Sequence, residues 1–138
     1  MNRADFQRLA ELRIKEARVL LDAGCFEGAY YLAGYAVECA IKACIAKLTK
    51  EFDFPDKDTV NRSYTHRLEQ LVQVAQLKQE LEKESNANPI FDQYWSTVKD
   101  WNEEVRYESE ISDARARDLC HAITDADYGV MQWLKKLW

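Results

Sequence analysis

The chain has only two prolines and four glycines in 138 residues. Scarcity of both breakers excludes a Gly/Pro-biased, turn-rich chain and suits a helical globular one. No apolar run is long enough to span a bilayer. The start, Met1-Asn2-Arg3-Ala4-Asp5, enters an amphipathic helix rather than a signal peptide, so a cytoplasmic location is expected. Its four cysteines, Cys25, Cys39, Cys44 and Cys120, show no CxxC spacing. That argues against a zinc site or a disulfide framework, and they are expected to be reduced core residues. No metal and no cofactor is expected. An excess of positive charge is also missing, since 19 Lys and Arg against 24 Asp and Glu give a net charge of −5. Such a balance does not recommend nucleic acid as a ligand, although a local basic patch can hide in an average. Around Arg106 the acids Glu103, Glu104, Glu108, Glu110 and Asp113 would repel a phosphate backbone unless they pair with something else. Internal repeats and low-complexity tracts are absent. A length of 138 residues with 47% hydrophobic and 31% charged residues describes one domain, 1–138, with a single core.

What is present is organised around Phe26 to Ala46. Apolar residues at Ala29, Leu32, Ala33, Ala36, Val37, Ala40, Cys44 and Leu48 keep the period of a helix and leave almost no polar face. Such a helix should be surrounded by others. Its small residues, among them Gly28, Ala33, Gly34, Ala36 and Ala40, let neighbouring backbones come close. Glu38 and Lys42 stand out, four apart with the acid first, the favourable order for a helical ion pair. Tyr31 and Tyr35 fall on the same side. A buried carboxylate must be paired or hydrogen-bonded, so Glu38 with Lys42 reads as a structural ion pair near a helix or subunit contact.

A first helix is expected over about Ala4–Ala23, with Phe6, Leu9, Ala10, Ile14, Ala17, Leu20 and Leu21 inward and Gly24 as the stop. The short connection makes it an antiparallel hairpin with the central helix, which should end near Lys47 to Lys50. Residues 51–64, with Pro55, are expected as the main loop. Thr65 offers an N-cap for a third helix, His66 to about Lys83. Pro89 suits the first position of a fourth helix, whose stripe Phe91, Tyr94, Trp95, Val98, Trp101 and Val105 reads as core. After a break at 106–111, Ser112 or Asp113 can cap a fifth helix running to the C-terminus, with Ala126, Val130, Trp133 and Leu137 buried. The expected fold is all-α, an up-and-down bundle of about five helices.

Three segments in this order resemble the HEPN domain. The first is the hairpin with Glu-Ala-Arg-Val-Leu-Leu at 16–21 and Ala-Val-Glu-Cys-Ala-Ile-Lys-Ala at 36–43. The second is Thr-His-Arg-Leu-Glu-Gln-Leu at 65–71, and the third is Trp-Asn-Glu-Glu-Val-Arg-Tyr at 101–107. The resemblance spans nearly the whole chain. It implies a helical-bundle homodimer, related to nucleotidyltransferase substrate-binding subunits and often partnered with a minimal nucleotidyltransferase. Many such proteins are metal-independent ribonucleases or toxins of toxin–antitoxin and defence systems; others are non-catalytic and bind nucleotides or protein partners.

Catalytic members carry an Arg followed after four to six residues by a His. Nothing in range of Arg106 fits, but Arg115 and His121 are a formal match, separated by Ala-Arg-Asp-Leu-Cys. Six helical steps place those two side chains about 120° apart, a poor geometry within one subunit. They are the candidate catalytic pair, against a solvated helix face or dimer seam. Arg106 with Tyr107 is the candidate nucleotide or anion site, since a guanidinium grips phosphate bidentately. Arg106 could equally pair with Glu38. His66 is read as a capping or packing residue that fixes its loop. Three functions compete: a binding module for a nucleotide or a protein partner, an endoribonuclease acting on RNA, and a structural or scaffold subunit. Apolar Trp133 and Trp138 support dimerisation, since exposing them in a monomer would be costly.

Overall fold

A computed structural model describes residues 1–49, 54 and 56–138. Among them are eight α-helices and one 3₁₀ turn: α1 Arg3–Asp22, α2 Phe26–Lys47, α3 Lys57–Arg62, α4 Leu68–Val74, α5 Lys78–Ala87, α6 Pro89–Lys99, the turn Glu103–Tyr107, α7 Asp113–Thr124 and α8 Val130–Lys135. The all-α fold agrees with the sequence pattern. The helix count does not, and each difference has a local cause.

α1 ends where Gly24 takes φ +78°, a conformation that lets Cys25 N–H reach Leu20 O at 2.8 Å and Gly24 N–H reach Leu21 O at 3.1 Å. This pair of bonds satisfies the last carbonyls and turns the chain back into α2. α1 buries Ala10 and Ala17 fully, while Phe6, Leu9, Ile14, Leu20 and Leu21 are half-buried. α2 lies at the centre, against α1, α4, α7, α8 and the 3₁₀ turn. It buries Ala29, Ala33, Ala36, Val37, Ala40 and Ile41 without remainder. Leu48, expected to extend its apolar series, is instead the exposed C-cap. Lys50 and Pro55 of the expected helix end and loop, with 51–53, lie outside the described residues. Within that loop Asp56 caps the short α3 by accepting from Thr59 N–H at 3.1 Å.

The expected third helix is two. Gln76 takes φ 60°, which no continuing helix allows, so α4 stops at Val74 and α5 begins at Lys78. Nor does it start at His66. Residues 65–67 lie outside the helix, with Thr65 Oγ1 accepting from Arg67 N–H at 3.2 Å, because the His66 ring is drawn onto α2. α6 opens as expected, with Pro89 at its first turn and the Asn88 side chain accepting from Ile90 and Phe91 N–H. It stops at Lys99, short of Trp101 and Val105. Trp101 is 1% exposed and lies flat on Gly34, where an added Cβ would stand 2.2 Å from indole carbons. The chain must leave the helix to make that contact, and residues 101–112 cross α2 as a strap.

Ser112 Oγ accepts from Arg115 N–H at 3.1 Å and caps α7. The expected fifth helix breaks after Thr124, because Asp125 Oδ2 takes Tyr128 N–H at 3.0 Å in a side-chain-closed turn. A Cβ on Gly129 would lie 2.5 Å from Asp125 O and 2.6 Å from Ile123 O, so only glycine fits there. Ala126, expected in the core, is exposed on this turn. Trp133 is buried within the chain against Phe91, ring centroids 5.4 Å apart, and Trp138 is half-buried. The apolar cost that these tryptophans were to bring to a monomer is thus met inside the fold, and they carry no argument for a dimer. Among the described residues no helix is long and apolar enough to cross a membrane.

Candidate functional site

Glu38 is the one buried charged side chain of the described core, 1% exposed on the inward face of α2. It is satisfied from two sides. Lys42, one turn on, brings Nζ to 3.7 Å of Oε2, so the expected ion pair is present. The shorter contact is one that helical spacing could not suggest: His66 Nδ1 stands 2.6 Å from Oε1. On its other edge His66 Nε2 faces Glu103 Oε2 at 3.1 Å. A carboxylate accepts only, so the Glu38 contact is a hydrogen bond donated by Nδ1–H, and Nε2 approaches Glu103 at ion-pair distance. His66 joins α2, the segment before α4 and the first residue of the 3₁₀ turn, and its expected loop-fixing role acquires a chemical basis.

Beside this bridge opens a polar cleft of about 550 Å³, walled by His66, Arg67, Glu69, Lys99, Asp100 and Glu103. Lys99 Nζ lies 3.8 Å from Glu69. Among the described residues no group of three or more His, Cys, Asp or Glu is arranged to hold a metal ion.

The strap then carries Arg106 and Tyr107 outward. Arg106 Nη2 donates to the Tyr107 hydroxyl at 2.9 Å, and the guanidinium sits 4.8 Å from the centre of that ring. The Tyr107 hydroxyl and then that of Tyr31 raise the Arg106 pKa further, while Glu103 acts on it only through space. Among the described residues no carboxylate forms a salt bridge with it, and the considered pairing of Arg106 with Glu38 does not occur: Glu38 is taken by His66 and Lys42. Behind Arg106, Tyr31 stacks on Tyr35 at 6.2 Å with planes 11° apart, and on its other side meets Trp101. Burial first, then Cys39 and Glu38, raise the Tyr35 hydroxyl pKa. A permanent cation thus stands on an aromatic shelf, with Tyr107 75% exposed.

Arg115 and His121 sit on one helix and serve different neighbours. Arg115 Nη1 donates to Glu108 at 2.9 Å, and its guanidinium lies 4.7 Å from the Tyr30 ring centre. His121 Nε2 meets the Tyr94 hydroxyl at 3.1 Å, with the rings edge to face. Both residues are exposed, and no contact links them within the chain.

The family model of the HEPN domain matches residues 4–137. The chain belongs to the HEPN family. Comparison with curated proteins and with solved structures found no match. Family membership points to a nucleotide- or RNA-related function or a toxin–antitoxin module. In this HEPN chain the Arg and His of the formal catalytic spacing are parted by the helix that carries them. The histidine with a buried acidic partner is His66, which the resemblance placed at a helix start in a capping or packing role. A signal was nonetheless present: Glu38 is an acid in an otherwise apolar helix, and a buried acid requires a partner. The four cysteines are free; Cys39, Cys44 and Cys120 are buried, but Cys25, expected in the core, is exposed because it lies in the turn between α1 and α2. Burial, then the Glu38 charge, pushes the Cys39 thiol up to about 11, and burial does the same for Cys44.

Proposed function

We propose that this HEPN protein is a homodimeric binding module that takes a nucleotide through Arg106 and Tyr107. In the same reading it docks a minimal nucleotidyltransferase in a toxin–antitoxin or defence-type system. The observation that carries the nucleotide part is the exposed guanidinium of Arg106, free of any carboxylate salt bridge among the described residues and braced by the Tyr107 hydroxyl. Guanidinium suits phosphate, and a phenol ring offers a base a stacking surface. Titration with ATP tests it. The native protein should saturate, and Arg106→Ala should weaken binding about tenfold, the scale of one charge-assisted contact. No binding at millimolar ATP would remove the nucleotide part and leave docking of a protein partner. A nucleotidyltransferase gene beside this one would name that partner, and sedimentation would read the dimer.

The endoribonuclease reading has less support. It needs a guanidinium beside the scissile phosphate and an imidazole within proton-transfer reach, and Arg115 and His121 have separate partners in one chain. The reading requires a second copy to bring them together. RNA incubated with the protein in EDTA should remain intact; cleavage that vanishes in His121→Ala would reverse the preference. A scaffold role without ligand is what remains if both ATP and a partner fail to bind.

A further inference from the structure

Residues 101–112 lie along α2, their first residues toward Glu38 and Gly34 and their last toward Glu27. Glu38 reaches Glu103 through the His66 ring, with nitrogen–oxygen distances of 2.6 and 3.1 Å. One turn back, Gly34 receives the Trp101 indole. Further back, Tyr30 lies under the Arg115 guanidinium that also holds Glu108. At the start of α2, Glu27 Oε1 accepts the Ile111 N–H at 3.3 Å. The strap is therefore held at both ends. Between the ties stand Arg106 and Tyr107, bonded to one another, with Val105 beside them buried in the core.

The two ends differ in kind. The end at Ile111 is a backbone bond and a stacked guanidinium that follow directly from the start of α7. The leading end is seated by the Trp101 indole on Gly34, and beyond it Glu103 is tied to α2 through His66, which belongs to neither α2 nor the strap. Remove the His66 ring and Glu103 loses its contact toward α2, while Glu38 keeps only Lys42 at 3.7 Å. We propose that His66 is the positioning residue for the Arg106–Tyr107 site: by bridging Glu38 and Glu103 it latches the strap beside Trp101 to α2 and sets where the guanidinium and phenol stand. This rests on the reading of Arg106 and Tyr107 as the ligand contact. His66 itself touches no ligand in this scheme. Its ring is 40% exposed, so the latch lies at the edge of the polar cleft.

The test uses the full chain and alters the exposed partner, Glu103, because loss of His66 would strand a buried charge and confuse a local effect with unfolding. Amide hydrogen exchange is followed at Val105 and Glu108, whose N–H groups bond Asn102 O and Val105 O in the 3₁₀ turn. Glu103→Ala should speed exchange at both by about tenfold, while the amides in the middle of α2 keep native rates. Glu103→Gln retains an acceptor for the Nε2 proton and should stay within about threefold of native. Glu104→Ala, which removes an equivalent charge from the same turn, should match native. ATP affinity should follow the same order, falling about threefold or more only in Glu103→Ala. Exchange in Glu103→Ala no faster than in Glu104→Ala would overturn the latch. A loosened strap with native ATP affinity would overturn the positioning role. Should ATP fail to bind the native protein, the ligand reading falls, while the exchange contrast still decides whether His66 holds the strap.

Discussion

The two histidines of this chain sit in regions that differ in almost every respect. His66 lies outside any helix, yet its ring connects a buried acid of α2 with an acid of the strap. His121 lies on a regular helix at a spacing from Arg115 that matches a catalytic pattern, and its side-chain contact is the Tyr94 hydroxyl. The residue with the suggestive spacing is thus the less engaged. Spacing on one helix fixes the angle between two side chains, and six steps set them on different faces. Charge in an apolar context carries more, because a buried carboxylate has to be met by some donor from elsewhere in the fold.

That contrast can be broken by measurement, and the largest effect belongs to His66. His66→Ala leaves Glu38 buried with only Lys42 at 3.7 Å. Truncating one partner of a buried ion pair costs about 3–5 kcal/mol, and the half-open position of the ring puts this case near 3. Urea unfolding should show it. Glu38→Gln added to His66→Ala should recover part of the loss, since the stranded charge goes with its partner. A loss no larger than that of His121→Ala would erase the distinction between the two sites.

Gly34→Ala probes the same region from the strap side. Its methyl would stand 2.2 Å from the Trp101 indole. Overpacking of about 1–3 kcal/mol is set against the roughly 1 kcal/mol that alanine contributes as a helix former, for a net loss of up to about 2 kcal/mol. A more stable variant would mean that Trp101 is not seated on Gly34. His121→Ala should change stability by less than about 0.5 kcal/mol, as for most exposed positions away from a network.

Thiol labelling sharpens the comparison with the smallest perturbation. Cys39 adjoins Glu38 and Cys120 adjoins His121. Burial raises both pKa values, but Glu38 adds to the rise at Cys39, whereas Arg18 and Arg117 oppose it at Cys120. A raised thiol pKa means less thiolate at pH 8, so iodoacetamide should label exposed Cys25 first, then Cys120, and Cys39 later. Equal rates at Cys39 and Cys120 would show that the Glu38 region is no more closed or more negative than the His121 face.

Much of the fold was legible. The small-residue apolar run from Ala29 to Ile45 has to be surrounded, and it is. Gly24, Asn88-Pro89 and Ser112 mark helix ends by chemistry that is local, and each acts where the pattern places it. The breaks at Gln76 and Asp125–Gly129 were missed because apolar periodicity runs on across them, and a side chain closing its own turn leaves that period intact. The end of α6 was missed for another reason. Trp101 keeps the helical spacing of Phe91, Trp95 and Val98, yet its partner is Gly34 on a different helix. Of the site, Glu38 with Lys42 and the pair Arg106–Tyr107 could be named in advance, since each lies within one turn.

By itself the sequence determined that the chain is all helical, where α1, α2, α6 and α7 begin to within a few residues, that α2 is central and that Glu38 must find a donor. Those properties follow from neighbours within a few residues along the chain. Only the tertiary structure decided that the donor is His66, that its second nitrogen turns to Glu103, and that the strap bearing Arg106 crosses α2 above Tyr31. Contacts between distant segments depend on how helices are placed against one another, and that placement comes from the whole core acting at once.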